Sequence, residues 1–405
     1  MPCQGHFDGT RESVGECMTI KTLEGARAIS EIVRNCDPDV VACYPISPST
    51  HVAEQLNQYY VNGDLKSFIA VESEFSAMSA LVGGAAAGGR TFTVTSAQGL
   101  LLMHEVLFNA SGMRLPIVMC VANRAISAPL SIWNDEQDSM SQRDSGWIQL
   151  YGKNNQEGVD LMVQAYFIAE KTHLPVMVCI DGHYLTHAVE QIDILDKEQV
   201  LSFLPPIAPA IVLDPEKPVS MGVYASPVHY QDFRKDLWSD MQASLLVIEE
   251  AGRLFGKKFG RSYDLFESYQ IADADRVILG LGSVMDNVKA VVDDLRREGE
   301  KVGCLHLRSF RPFPREQLSQ ALRNKTVGVV ERDISPGSKA PLYTEVFEAL
   351  KDSNAVVSSF YGGLGGRNIT RAEIRGLFDK LKQNKPLDLW VAETMHKSGA
   401  QNYST

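Results

Sequence analysis

Residues 90–125, RTFTVTSAQGLLLMHEVLFNASGMRLPIVMCVANRA, hold two short apolar runs, at 90–96 and 115–122, separated by an amphipathic segment. Runs of this length with few polar interruptions are typical of strands that are buried on both faces of a parallel sheet. Three further runs have the same character: DVVACYPIS at 39–47, SFIAV at 67–71 and LPVMVCID at 174–181. The first half of the chain therefore predicts a parallel sheet.

Helical segments between these runs complete the pattern. Apolar residues three or four positions apart predict helices at 22–35, 72–88 and 157–172. Because strand–helix–strand crossovers are right-handed, the alternation predicts an open α/β structure with helices on both faces of the sheet.

The second half of the chain predicts a separate, smaller α/β unit. Six prolines between 203 and 227 favour an extended connector, since proline cannot continue a helix. A long amphipathic helix is predicted at 232–260, and a new alternating series begins with DRVILGLGS at 275–283. We therefore predict an N-terminal extension at 1–17, with Met18 as a candidate second start, a first domain at 18–258 and a second domain at 259–405.

Composition excludes several classes of function. The 405 residues include 50 Asp plus Glu against 39 Lys plus Arg, a balance that disfavours nucleic-acid binding. No apolar stretch is long enough to span a membrane and the N-terminal sequence is polar, so a cytoplasmic protein without a membrane partner is expected. The seven Cys are scattered without a C-x-x-C pair, which argues against a disulfide framework, a zinc site or a cluster built by this chain alone.

The loop 44–50, YPISPST, follows the first predicted strand. Ligands of parallel α/β sheets bind beyond the carboxyl ends of the strands, and two prolines restrict the freedom of the loop hydroxyls. The hydroxyl of Ser47 is therefore a candidate ligand group. A simpler interpretation is that Ser49 or Thr50 caps the next helix, and the two roles are compatible.

Glu72 and Glu74 open a helix that is rich in Ala and Gly. For Glu72 the favoured interpretation is a charge that stabilises the helix N-terminus. Glu74 precedes residues with almost no side-chain bulk, and such a helix can pack closely against another backbone or a planar cofactor. A carboxylate in that setting would have a raised pKa and could share a proton with a ring nitrogen.

Two further candidates follow the next strands. TSAQGL at 95–100 turns from a strand into a helix, and Gly99 allows a close approach of the backbone. Arg124 comes directly after the buried run 115–122 and must find an anion, either a ligand carboxylate or an internal partner. The polar loop 133–147, with two Trp, is interpreted as an interface or a lid.

Taken together, these motifs resemble one family. YPISPSTH, ESEFSAMSA, TSAQGL, ANRA and RDSGWIQL occur in the order and spacing of the alpha subunit of the 2-oxoacid:ferredoxin oxidoreductases, the pyruvate:ferredoxin oxidoreductase (pyruvate synthase) family. The match extends over about 22–395 and includes RPFP at 311–314 and GGLGGR at 362–367. The resemblance implies a pyrimidine-type thiamine-enzyme domain followed by a transketolase C-terminal-like domain.

The resemblance also implies the chemistry. This family uses thiamine diphosphate, and the alpha subunit supplies the pyrimidine side of a shared site. Glu74 matches the glutamate that contacts the aminopyrimidine ring, Arg124 the arginine that receives the substrate carboxylate, and Ser47 a substrate-binding hydroxyl. Tyr44, Pro45 and Gln98 are expected to contact the cofactor. The implied reaction is oxidative decarboxylation of a 2-oxoacid with coenzyme A to an acyl-CoA and carbon dioxide.

The partners are likewise implied by the resemblance. A beta subunit would carry the diphosphate side with Mg²⁺ and an iron-sulfur cluster, gamma and ferredoxin-like delta subunits would complete a dimer of heteromers, and ferredoxin or a similar acceptor would take the electrons. The Gly-Asp-Gly motif of the diphosphate side is absent from the sequence, in agreement with half a site. Two alternatives stay open: a non-redox thiamine enzyme subunit, and a non-catalytic scaffold subunit of the same fold.

Two departures from the family pattern bear on the substrate. Ser47 replaces the usual Thr and removes a methyl group, and Glu136 stands where many relatives have His. Pyruvate is the first choice of substrate, while the smaller Ser47 leaves room for an arylglyoxylate such as phenylglyoxylate.

Overall fold

The computed structural model describes residues 20–209 and 211–391. The predicted extension at 1–17 and the end of the second domain lie outside these ranges. The strands are β1 (Ile20–Glu24), β2 (Val40–Cys43), β3 (Phe68–Ala70), β4 (Thr91–Thr95), β5 (Val118–Asn123), β6 (Ile148–Tyr151), β7 (Val176–Asp181), β8 (Val189–Asp193), β9 (Phe266–Tyr269), β10 (Arg276–Gly280), β11 (Val302–Leu307), β12 (Ser309–Arg311), β13 (Thr326–Glu331), β14 (Val356–Tyr361) and β15 (Asp388–Trp390).

Helices alternate with the strands, as expected. They are α1 (Gly25–Asn35), α2 (Thr50–Val61), α3 (Glu74–Ala86), α4 (Ala97–Leu102), α5 (His104–Gly112), α6 (Gln137–Met140), α7 (Asn155–Thr172), α8 (Lys197–Phe203), α9 (Pro227–Phe259), α10 (Val284–Arg297), α11 (Arg315–Leu322), α12 (Pro341–Leu350) and α13 (Arg371–Leu381), with a 3₁₀ turn at Leu364–Gly366. Even α9, with its 33 residues, lacks the apolar character of a bilayer span, as do the other helices of the described ranges.

The first sheet confirms the predicted parallel arrangement. Its order is β12-β6-β7-β5-β4-β2-β3, and all pairs are parallel except β12 with β6. The strands in the middle are entirely buried because helices cover both faces of the sheet. The carboxyl ends of β2, β4 and β5 consequently meet at one edge.

The second sheet has the order β15-β14-β13-β10-β11-β9, parallel except for β9. The fold is thus mixed α/β with two largely parallel sheets. One strand from the second half of the chain belongs to the first sheet, because β12 pairs with β6 and extends that sheet.

The predicted helix at 22–35 is wrong at its start. Residues 22–24 belong to β1, which pairs antiparallel with β8, and the helix begins at Gly25. The apolar spacing in this segment continues into the strand, so periodicity alone could not place the boundary. The pairing partner lies more than 160 residues further along the chain.

Candidate active site

The candidate residues lie on the edge where β2, β4 and β5 end. Tyr44 follows β2, Ala97 begins α4 directly after β4, and Arg124 follows β5. Since these strands are neighbours in the sheet, the fold brings the three segments together. Arg124 contacts both the carbonyl oxygen of Ser47 and the side chain of Gln98.

Glu74 is the first residue of α3, and Ser73 caps that helix by accepting a hydrogen bond from the Ser76 amide at 3.3 Å. Glu74 is 5% exposed, and apart from its own amide no described residue donates a hydrogen bond to its carboxylate. Burial raises the pKa of Glu74. A cap by Ser73 leaves the neighbouring carboxylate available for a ligand, unlike the usual acidic residue of a first helical turn.

Gly99 closes one side of the Glu74 carboxylate. A Cβ added to Gly99 would lie 2.6 Å from Thr95 Oγ1 and 2.7 Å from Glu74 Cδ, so that no side chain fits there. The close approach of α4 to α3 depends on this glycine.

Several polar atoms where β4 turns into α4 lack partners. Thr95 Oγ1, Ser96 Oγ and Gln98 Nε2 are buried and form no hydrogen bond within the described part of the chain. Buried polar groups are normally paired, so a group of unpaired ones indicates a ligand that is polar and rich in hydrogen-bonding atoms. The ring nitrogens and amino group of an aminopyrimidine fit this set of residues.

Arg124 is 7% exposed and held by three oxygen acceptors. Its Nε donates to Ser131 O at 3.0 Å, Nη1 to Ser47 O at 2.8 Å and Nη2 to Gln98 Oε1 at 3.4 Å. Burial lowers the pKa of Arg124. Within residues 20–209 and 211–391, no carboxylate lies within ion-pair distance of the guanidinium, so the internal salt bridge considered above does not form there. Neutral acceptors fix its position, and the charge of Asp138 acts on it only from beyond ion-pair distance.

The loop 44–50 differs from the simple capping interpretation. Ser49 occupies the N-cap position of α2, but its hydroxyl donates to Ile46 O at 2.7 Å and does not cap the helix. Ser47 is exposed and contributes its carbonyl oxygen to Arg124. Tyr44 and Pro45, the two predicted cofactor contacts, are exposed at the start of the loop.

Asp138 is a site residue that the sequence did not single out. Its Oδ2 accepts hydrogen bonds from the amides of Ala97 and Arg124, both at 2.9 Å, and its Oδ1 accepts from Asn123 Nδ2 at 2.8 Å and the Ser139 amide at 2.8 Å. Burial raises the pKa of Asp138 to about 7, against the effect of these donors. One carboxylate thus ties the end of β4 to the end of β5.

A buried arginine of the second sheet reaches the same region. Arg332, directly after β13, contacts Asp181 Oδ2 through Nη1 at 2.8 Å and Glu136 Oε1 through Nη2 at 2.5 Å. Burial alone would raise the pKa of Asp181, but Arg332 and Ser283 together lower it, whereas burial raises the pKa of Glu136 to about 7. Glu136, which stands where many relatives have His, is therefore the ion-pair partner of the buried Arg332.

The polar loop 133–147 packs on the second unit of the chain. Gly365 donates its amide hydrogen to Asp135 Oδ2 at 3.0 Å, and Gly366 lies so close to Trp133 that a Cβ there would be 3.1 Å from the indole. The GGLGGR motif thus faces the loop that holds Asp138.

Comparison with known proteins identifies the family. The family model described as pyruvate flavodoxin/ferredoxin oxidoreductase, thiamine diphosphate-binding, matches residues 31–253, and the model for core domain II of pyruvate:ferredoxin oxidoreductase matches residues 274–374. The chain is an alpha subunit of the 2-oxoacid:ferredoxin oxidoreductase family. This confirms the resemblance that the motifs indicated.

Relatives of this family match nearly the whole chain. Pyruvate synthase subunit PorA of Methanothermobacter thermautotrophicus is 43% identical over 92% of this chain and 98% of its own length. The same subunit of Methanocaldococcus jannaschii is 45% identical over 92% and 97%. Ketoisovalerate oxidoreductase subunit VorA of Pyrococcus abyssi is 42% identical over 90% and 93%.

Solved structures confirm the fold. The 2-oxoglutarate:ferredoxin oxidoreductase of Magnetococcus marinus superposes with a TM-score of 0.70 at 20% identity, over 89% of this chain and 65% of that one. A split-gene transketolase superposes with a TM-score of 0.52 at 13% identity, over 89% of this chain and 97% of that one.

Proposed function

We propose that this chain supplies the pyrimidine side of a thiamine diphosphate site in a pyruvate:ferredoxin oxidoreductase complex. The reaction is oxidative decarboxylation of pyruvate with coenzyme A to acetyl-CoA and carbon dioxide, with electrons passing to iron-sulfur clusters and ferredoxin. The observation that carries the proposal is the buried carboxylate of Glu74 near Thr95 Oγ1, an atom that is unpaired within the described residues, as are Ser96 Oγ and Gln98 Nε2 of the same turn. The names of the pyruvate synthase relatives support pyruvate as the substrate.

Glu74 and Gln98, with Tyr44 and Pro45 at the rim, would hold the aminopyrimidine ring. The chemistry that thiamine diphosphate supplies when bound is a carbon nucleophile for the keto group of the substrate. Because burial raises the pKa of Glu74, its carboxyl oxygen can hold or share a proton with a ring nitrogen. This electrostatic tuning needs a carboxylate that no neighbouring side chain neutralises.

Arg124 would bind the substrate carboxylate. Its guanidinium is already oriented by Ser131, Ser47 and Gln98, and a planar fork suits a carboxylate. The Ser47 hydroxyl lies on the same loop as the carbonyl that positions Arg124. Two anchors on the carboxylate would fix the angle of the bond that breaks when carbon dioxide leaves.

The rest of the site belongs to partner subunits in this proposal. A beta subunit would carry the diphosphate, Mg²⁺ and a cluster, and gamma and ferredoxin-like delta subunits would complete a dimer of heteromers. Residues 18–258 would form the pyrimidine-side domain and residues 259–405 the transketolase-like domain. Since Ser47 lacks the methyl group of threonine, a bulkier acid such as phenylglyoxylate is the second candidate substrate.

The first test is purification of the native complex, with its visible absorption and its co-purifying chains. Iron-sulfur absorption and reduction of ferredoxin by pyruvate with coenzyme A are the expected results. A complex without clusters that releases an aldehyde would make the chain a non-redox thiamine enzyme subunit.

A second test separates the half-site from a complete site. Calorimetry with thiamine diphosphate and Mg²⁺ should detect no tight binding to this chain alone and tight binding to the complex. Micromolar binding to the isolated chain would contradict the half-site, and absence of binding to the complex would favour a scaffold.

A further inference from the structure

A cluster of metal-ligating side chains lies outside the site described above. Glu24, His51 and His187 each place one possible ligand atom within 4.8 Å of the others. They come from the end of β1, the first turn of α2 and the segment before β8. Three segments distant in sequence thus converge on one point of the surface.

The backbone fixes two of these three positions. Gly25 donates its amide hydrogen to Ala188 O and Ala26 donates to Thr186 O, both at 2.9 Å, and Glu24 pairs with Val189 in the β1–β8 ribbon. Gly25 has no space for a side chain, since its neighbours lie against its Cα. Glu24 and His187 are therefore held side by side by main-chain hydrogen bonds.

The imidazole of His187 is oriented by a hydroxyl. Thr186 Oγ1 lies 2.8 Å from His187 Nδ1 and also accepts a hydrogen bond from the His183 amide at 2.9 Å. Donation of Nδ1–H to Thr186 would leave Nε2 as a ligand atom. Metal-binding histidines commonly donate their second ring nitrogen in this manner, which fixes the tautomer.

We propose that Glu24, His51 and His187 form a binding site for a divalent transition metal of the zinc type. Two imidazoles and a carboxylate are a ligand set that zinc accepts, with water completing a tetrahedral site. The ligands come from a Glu and two His that are far apart in sequence, so cysteine spacing could not have indicated this site.

Binding requires a small rearrangement. His51 Nδ1 and Glu24 Oε1 lie 2.7 Å apart, whereas two ligands of a tetrahedral zinc ion are about 3.4 Å apart at bond lengths near 2.1 Å. The His51 side chain is 46% exposed and can rotate at little cost. Arg27 lies 3.6 Å from Glu24 Oε2 and is 59% exposed, so it competes weakly for the carboxylate.

The cluster is linked to the candidate active site by stacked rings. His187 stacks on His183 at 4.7 Å between centroids, and His183 stacks on Trp133 at 3.9 Å. Trp133 lies two residues after Ser131, whose carbonyl oxygen holds Arg124. A metal bound to His187 would restrict the motion of the ring at one end of the stack formed by His187, His183 and Trp133.

The test is titration of the full-length chain with Zn²⁺ by calorimetry, and with Co²⁺ by visible absorption. One equivalent should bind, with the d–d bands of a tetrahedral site, and the melting temperature should rise with Zn²⁺ concentration because the ion binds the folded state. His187→Ala and His51→Ala should each weaken this binding at least tenfold, while His229→Ala, at an exposed position of α9, should not.

A further variant tests whether Cys17, in the N-terminal segment, binds the added Zn²⁺ instead of the proposed site. Cys17→Ser should leave the binding unchanged. Absence of Zn²⁺ binding, or binding that Cys17→Ser abolishes and His187→Ala leaves intact, would overturn the proposal. Circular dichroism of each variant verifies that lost binding does not come from lost folding.

Discussion

The carboxylate of Glu74 lies against the Cα of Gly99, and a Cβ at position 99 would be 2.7 Å from Glu74 Cδ. Two helices that begin after different strands therefore meet without an intervening side chain. The contact confines the carboxylate from one side. This relationship explains why a helix N-terminal carboxylate is buried without a partner.

Glu74→Gln should slow turnover by a factor on the order of 10² or more, as for loss of a general acid or base. The assay is pyruvate oxidation by the purified complex at full cofactor occupancy. Glu72→Gln is the matched control, because Glu72 is exposed and its carboxylate accepts a hydrogen bond from the nearby Ser76 hydroxyl. Activity of Glu74→Gln within tenfold of wild type would rule out the proposed role.

Glu74→Gln should also change the melting temperature of the protein, by an amount that depends on pH. Burial raises the pKa of Glu74 above its ordinary 4.5, so the unfolded chain ionises before the folded one as pH rises and the folded state loses stability. Glu74→Gln should therefore raise the melting temperature at pH 7. Scanning calorimetry should show this gain disappearing as the pH falls below 4.5, the ordinary pKa of the group, and a lower melting temperature at pH 7 would contradict it.

Arg124→Ala should cost about 2–5 kcal/mol of transition-state binding, because it leaves the substrate carboxylate unpaired. The measurement is kcat/KM for several 2-oxoacids. Arg297→Ala, whose side chain is 76% exposed in the wild type, serves as the control. Unchanged efficiency with every acid would place the carboxylate site elsewhere.

Asp138→Asn should displace Arg124 and Gln98 without removing either. An asparagine cannot accept all four hydrogen bonds, and a buried donor left unpaired costs about 1–3 kcal/mol. We expect KM for the 2-oxoacid to rise by about tenfold. Asp144→Asn, at a side chain 77% exposed, should have no effect. A change in melting temperature with KM unchanged would limit Asp138 to a structural role.

Ser47→Thr tests the selection of the substrate. The added methyl group should reduce turnover of phenylglyoxylate more than that of pyruvate, by about 1–3 kcal/mol of discrimination. The decisive quantity is the ratio of the two kcat/KM values before and after substitution. An unchanged ratio would mean that other residues set the size of the pocket.

The sequence predicted the parts of the fold that have a local pattern. All five apolar runs correspond to strands β2, β3, β4, β5 and β7. The strand β6 was not predicted, because its four residues follow a polar loop and include the polar Gln149, although the strand is buried between β7 and β12 in the sheet. Its burial depends on strands that are distant in sequence, and the local pattern of apolar residues contains no information about them.

The sequence likewise indicated some residues of the candidate site and missed others. Strand-end position pointed to Ser47, Glu74 and Arg124, whose roles stay predictions. Asp138 was missed because its loop folds back onto two strand ends, and Arg332 because it comes from the other sheet. A run of acidic residues at 135–138 was the only available signal.

The pairing of β12 with β6 has a consequence for biosynthesis. The ribosome releases Ile148–Tyr151 long before Ser309–Arg311, so the first sheet emerges with an open edge. Open edges are templates for association with other chains. The nascent chain thus has to protect this strand from association over roughly 150 codons of translation. A polypeptide ending at residue 258 would keep β6 as a permanently unpaired edge strand.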